Sequence, residues 1–317
     1  MSEPSAQRAE HRADWLHRDA RYSDVSTRKG HVGLPAADGP PPTSYKPGRT
    51  LPLRVELVRQ LRRRRTQVTF GLVALLPIIL WIAFSFTSDG APGQAVNLVD
   101  LAQGSGTNFA IFGLFASAGF LLVVVVALFF GDTIASEASW SSLRYLLAAP
   151  VPRTRLLRQK ALVSGFLAFL AVLLLPVVAL VVGTLAYGAG DLVSPTGESL
   201  GYGVAVGRVL LGGVYVALSL LWVAGLATLL SVSTDAPLGA VGGAVMVSIV
   251  SQILDQITAL EGLRDYLPTH YANAWSGLLG SVPDWGDMTR GLFSSVGYAT
   301  IFFAAAAWRF HRKDITS

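Results

Sequence analysis

The chain has 317 residues, of which 52% are hydrophobic and 14% charged, with a formal net charge of +5. Soluble proteins carry about 25% charged residues, so a water-soluble globule is a poor reading, and the positive balance belongs to the flanks of membrane spans rather than to nucleic acid. There is no cysteine, which removes disulfides, thiolate metal sites and cysteine nucleophiles.

Residues 1–50 carry scattered charge and the run "LPAADGPPPTSYKPG". So few apolar side chains cannot offset the entropy of ordering, and a disordered cytoplasmic tail is expected. The first apolar run starts too late for a signal peptide. Residues 51–67, "LPLRVELVRQLRRRRTQ", follow. On a helix Leu53, Leu57 and Leu61 stack at i, i+4 and i+8, with Glu56, Arg59, Gln60 and Arg63 opposite. That pattern predicts an interfacial helix with its leucines in the membrane and its arginines toward anionic headgroups. A plain stop-transfer cluster of positive charge is the alternative.

Six apolar stretches within residues 68–308 are each long enough to cross about 30 Å of hydrocarbon. They are Val68–Phe86, Phe109–Phe130, Ala161–Tyr187, Val204–Val232, Leu238–Ile257 and Leu292–Trp308. The loops Thr87–Asn108 and Gly188–Gly203 contain acids and no Lys or Arg. Residues 131–160 contain Arg144, Arg153, Arg155, Arg158 and Lys160, and the tail 309–317 contains Arg309, Arg312 and Lys313. The bias places both termini and residues 131–160 in the cytoplasm. The expected location is a bacterial plasma (inner) membrane, with Arg outnumbering Lys as the weak pointer to the source. The last external loop, Thr258–Gly291, suggests a short helix with Tyr271 and Trp275. Two readings stay open: a helix resting on the outer surface, or a re-entrant plug covered by protein.

Intramembrane chemistry needs ionisable groups at depth, and few are present. Arg208 stands near the outer end of span four. Asp255, with Gln252 and Gln256, stands near the outer end of span five, either as a solvated helix end or as a polar contact at an external gate. No HExxH, GxSxG or paired intramembrane aspartates occur, and the five histidines have no partner within a span. Neither a metal site nor a proton relay is expected. Lys29, Lys46, Lys160 and Lys313 all lack the flanking Gly and Ser/Thr of a phosphate-cradling loop. ATP is therefore not expected to bind this chain. Gly239 and Gly243 form a GxxxG on span five, and Gly212 and Gly213 lie on span four, where they permit close helix packing.

The segment "GDTIASEASWSSLRYLLAAPVPRTRLLRQK", residues 131–160, stands between two apolar spans. Leu143, Leu146 and Leu147 share a helical face, Ser141 or Ser142 can cap it, and Pro150 and Pro152 end it. A short cytoplasmic helix presenting leucines and Tyr145 to water calls for a partner. Here Glu137, Trp140 and "SLRYLLAAPVPRTRLLRQK" resemble the cytoplasmic motif of type-two ABC exporter permeases. "YLPTHYANAW" before the last span is similar to that family as well, and the resemblance extends over about residues 53–313. Ser141-Ser142 stands where many members have Gly-Thr.

The resemblance implies an all-α integral membrane protein with six transmembrane helices, an N-terminal amphipathic connecting helix and a cytoplasmic coupling helix at Ser141–Ala149. It implies a separate ABC ATPase, which carries ATP and Mg, and a second permease, identical or paralogous, across a central pathway. Glu137 would take the hinge, with an arginine such as Arg144 as partner, or stand as an ordinary solvated carboxylate. Trp140, Leu143, Arg144, Leu146, Leu147, Pro150 and Arg153 would form the ATPase-coupling element, and Leu53–Arg65 would touch the ATPase too. A membrane subunit that binds an ATPase without translocating anything is the alternative.

Overall fold

In the computed structural model, the described residues are 53–86, 98–139, 153–194 and 197–312. The expected N-terminal tail, the coupling helix Ser141–Ala149 and the tail beyond Arg312 lie outside them. Helix α1, Leu53–Leu61, leads through a short break into α2, Arg64–Ser85. A short α3, Leu98–Gln103, precedes α4, Gly106–Ala118, and α5, Leu121–Ser139. Helix α6 runs for 35 residues, Arg153–Tyr187. An antiparallel two-residue hairpin follows, β1 at Leu192–Val193 and β2 at Ser199–Leu200, with Leu192 opposite Leu200. Then come α7, Tyr202–Ser219, α8, Leu221–Ser233, and α9, Pro237–Asp255. Two 3-10 helices, Thr258–Tyr266 and Ala274–Leu278, lead to α10, Gly286–Arg312.

Among the described residues, five helical stretches are long and apolar enough to cross a membrane, or six if α4 and α5 are counted as one bent span. This is an all-α membrane bundle, and its spans fall close to the expected ones. Two differences have a physical cause. Span two is not one rod: α4 and α5 meet at a 55° bend. Span four breaks at Leu220. In hydrocarbon a broken helix exposes backbone polar groups that water cannot satisfy. Each break is met by a side chain from a neighbouring helix. Gln252 on α9 donates from Nε2 to the Gly119 carbonyl at 2.7 Å. Ser295 on α10 donates to the carbonyls of Leu218 and Ser219, at 3.1 and 2.8 Å, and lies 3.3 Å from the Trp222 N–H as an acceptor.

Helix α5 lies at the centre, packed on α6, α8 and α9, while α8 packs most extensively on α10. The main core runs through Leu114, Leu122, Val126, Leu167, Ala171, Trp222 and Ala224. Close approaches occur at glycines. A Cβ on Gly106 would lie 2.5 Å from the Thr184 nitrogen, and one on Gly183 would lie 2.8 Å from the Gly106 carbonyl. These two positions let α4 and α6 cross almost backbone to backbone. Of the expected GxxxG pair, Gly243 meets Leu230 on α8, whereas Gly239 has only Ala236 nearby.

The crossing generates a paired prediction. Gly106→Ala forces α4 off α6 and should destabilise the protein by about 1–3 kcal/mol, as overpacking does. Gly207→Ala, with nothing within 4 Å of the new methyl, should leave stability unchanged or slightly raised. Thermal unfolding of both variants in detergent checks the contrast.

Candidate functional site

Helix α1 is amphipathic, and part of its polar face is turned into the bundle. Leu53 and Leu61 are 46% and 41% exposed, a surface open to lipid, while Glu56 and Gln60, expected on the headgroup side, are buried against the bundle at 3% and 7%. The reason is a counter-charge. Lys160, one of the residues of the basic segment, lies within the first turns of α6 and is itself 3% exposed. Its ammonium donates to Glu56 Oε1 at 3.5 Å. Gln60 Nε2 donates to the same oxygen at 3.1 Å, and Arg59 reaches Oε2 at 2.9 Å. Leu57 packs partly buried against the core.

Burial alone would raise the Glu56 carboxyl pKa and is the largest single influence on it. Lys160, Gln60 and Arg59 together outweigh burial and hold the carboxyl below its ordinary value of 4.5. A charge so placed is costly to desolvate and costly to orphan. The Glu56–Lys160 contact therefore fastens α1 to α6, across 104 positions of sequence.

A second ionic contact joins the next turn to α5. Asp132, 6% exposed, pairs with Arg65 and lies 3.7 Å from Arg63 Nη1. Its Oδ2 has no hydrogen-bond partner among the described residues. One turn on, Ser231 Oγ of α8 accepts from the backbone N–H of both Ile134 and Ala135, each at 3.0 Å. Thr133 and Ser164 bridge α5 to α6 at 3.0 Å. Polar contacts thus gather around the last turns of α5 and the first turns of α6, the two helices that flank residues 140–152.

Of the expected coupling residues, Trp140, Leu143, Arg144, Leu146, Leu147 and Pro150 lie outside the described residues. Glu137 belongs to the end of α5 and Arg153 begins α6. Glu56, Lys160 and Asp132 were not singled out as site residues by sequence. Asp132 stands two residues past an apolar run and Lys160 inside a basic segment, and neither position by itself signals a buried charge. The only available signal was the lone Glu56 within an Arg-rich helix.

At the opposite end the expected gate residues occupy one assembly. Trp275 is fully buried, with its ring 4.3 Å from that of Phe115 and against Gly212 of α7. Its Nε1 has no partner among the described residues. The Tyr271 carbonyl accepts from Tyr215 Oη at 2.7 Å. Asp255 holds His270 Nδ1 at 2.6 Å, and Asp265 lies 3.3 Å from Nε2. His270 lies in the loop, outside any span, and its two carboxylate partners fix it to the end of α9. Arg208 donates to the carbonyls of Leu278, Gly280 and Ser281. The loop is two 3-10 turns anchored into the bundle by a tryptophan, rather than one surface helix. No group of three or more metal-ligating side chains occurs among the described residues.

The family profile described as "ABC-2 family transporter protein" matches residues 59–315, and the chain belongs to that family. A comparison with curated proteins gives no match. Family and fold together make this a multi-pass membrane permease of an ABC transporter.

The depressed Glu56 carboxyl has a signed consequence. Its contribution to stability is complete above pH 4.5 and is lost as the pH falls below that value through the folded-state pKa. Amide exchange at residues 57–61 should therefore accelerate on acidification below about pH 4.5. Glu56→Gln should flatten that dependence and show faster exchange already at neutral pH.

Proposed function

We propose that this chain is the permease of an ABC exporter in a bacterial plasma membrane, with both termini in the cytoplasm, and that a separate ABC ATPase drives it. The observation that carries the reading is a convergence. In a member of the ABC-2 family, buried ionic contacts tie α1 to the start of α6 and α2 to the end of α5, the two helices between which the sequence resembles the coupling element.

Force delivered to that segment enters α5 and α6 together. Through Glu56–Lys160 and Asp132–Arg65 the same force reaches α1 and α2, so these helices respond as one body. The ATPase supplies ATP and Mg; no phosphate-cradling loop occurs in this chain. A second permease, identical or paralogous, completes the pathway. Helices α2, α9 and α10 each keep large apolar side chains exposed, among them Ile79, Met246 and Phe293, surfaces suited to lipid or to that second copy. Export, rather than inward transport, rests on the resemblance.

Leu146→Asp should leave the permease inserted but abolish co-purification of the ATPase. An apolar anchor in a pocket contributes about 1.5–3 kcal/mol, and a charge left in a dry site costs more. Arg153→Ala should weaken binding by about 1 kcal/mol or less. Equal behaviour of the two variants, or full coupling by Leu146→Asp, contradicts the assignment. The purified chain should hydrolyse ATP only when the ATPase is added. Single cysteines test orientation against a cysteine-free background: an impermeant reagent on intact cells should label position 196 and not position 154.

A further inference from the structure

A groove of about 550 Å³ opens among α5, α6, the end of α7, α8 and α10. The volume falls within the roughly 300–1,000 Å³ usual for small-molecule sites. Its walls are almost wholly aliphatic and aromatic, with Phe130, Phe166 and Phe303 on three different helices. Among the described residues, the only basic side chains that line it are Arg158 and His311, at the end where Leu157 and Phe310 share one apolar cluster. That end is the one occupied by Lys160, Arg309 and Arg312. Both lining residues are exposed, and among the described residues no carboxylate pairs with Arg158.

The groove follows α6 from Leu157 to Val172, a rise of about 22 Å at 1.5 Å per residue. One leaflet of hydrocarbon is roughly half of 30 Å. The groove therefore matches one leaflet plus its headgroup zone, with positive charge at the headgroup level and none deeper. Gly165 creates the width. A Cβ there would meet only the edge of Phe130, at 3.5 Å, so the space beyond it is open.

We propose that this groove binds one anionic phospholipid, an acyl chain lying along α6 past Gly165 and the phosphate held at Arg158 and His311. The choice of occupant follows from charge complementarity. A basic side chain at the interface attracts an anionic headgroup, and a long side chain can extend to that level while its stem stays on apolar surface. The leaflet assignment, the cytoplasmic one, rests on the orientation proposed above; the site itself does not.

The test uses the purified full chain in detergent, without ATPase, and native mass spectrometry of retained lipid. Micelles are doped with phosphatidylglycerol or phosphatidylcholine. The wild-type chain should retain one phosphatidylglycerol and prefer it to phosphatidylcholine by about five-fold per basic contact. Arg158→Gln, a change at an exposed side chain, should keep lipid adducts but remove most of that preference. Gly165→Phe should lose both lipids. Excess inorganic phosphate should not displace the lipid, because the chain anchors it.

Unchanged retention by Gly165→Phe, or unchanged preference in Arg158→Gln, overturns the proposal, as does displacement by phosphate alone. If Gly165→Phe fails to fold, the Arg158→Gln preference decides. Detergent solution has no sides, so failure of the cysteine-labelling topology leaves this result intact, and the reverse holds.

Discussion

A glutamate and a lysine, each less than 5% exposed, meet where an N-terminal helix crosses the start of the longest span. The geometry of the basic end depends on that contact. Glu56 is acceptable inside only because Lys160, Gln60 and Arg59 supply charge and donors. Lys160 in turn finds in Glu56 a counter-charge at that depth of packing. The pair commits α1 to α6 in one register. The helix then presents Leu53 and Leu61 outward, where lipid can cover them, and keeps Glu56 and Gln60 against the bundle.

The same constraint, that no polar group be left unmet in an apolar medium, governs the spans. Helices α4 and α5 bend, and α7 and α8 separate, only where Gln252 and Ser295 can take up the freed backbone groups. Ser231 plays a related part on α5 near Asp132. The bundle is therefore assembled from apolar faces and located by a few polar contacts, each joining a different pair of helices. At the far end Arg208, Glu198 and Tyr215 do the same for the loop before α10, whose carbonyls and backbone N–H groups they hold. Trp275 then sits fully inside, beside Gly212, a position that admits its ring because there is no Cβ.

Much of the architecture was legible because hydropathy over about 20 residues is a strong signal. Val68–Phe86 and Leu238–Ile257 were located to within a few residues of α2 and α9. Contacts were not legible. Spans apolar all round carry no periodicity to say which face meets which, so the bend at Gly119 and the break at Leu220 left no mark among the many glycines and leucines. Lys160 read as part of a basic loop because its partner lies 104 residues earlier. Glu56 and Gln60 read as a water face because periodicity separates polar from apolar but cannot say that a buried cation awaits. The pairing of His270 with Asp255 left no mark for a similar reason: Asp255 ends a helix 15 residues before it.

Helix α1 is fastened to α6 by the buried Glu56–Lys160 pair. A double-mutant cycle on the unfolding free energy, using Glu56→Gln, Lys160→Met and both together, addresses this directly. Removing either partner should cost up to about 3–5 kcal/mol, since the buried charge left behind loses the counter-charge on the other helix. The double variant should be more stable than the sum of the two losses implies, by 1 kcal/mol or more, within the usual coupling range of about 0.5–3 kcal/mol. Losses that simply add, to within about 0.5 kcal/mol, would mean that the two side chains act independently and that α1 is held by something else.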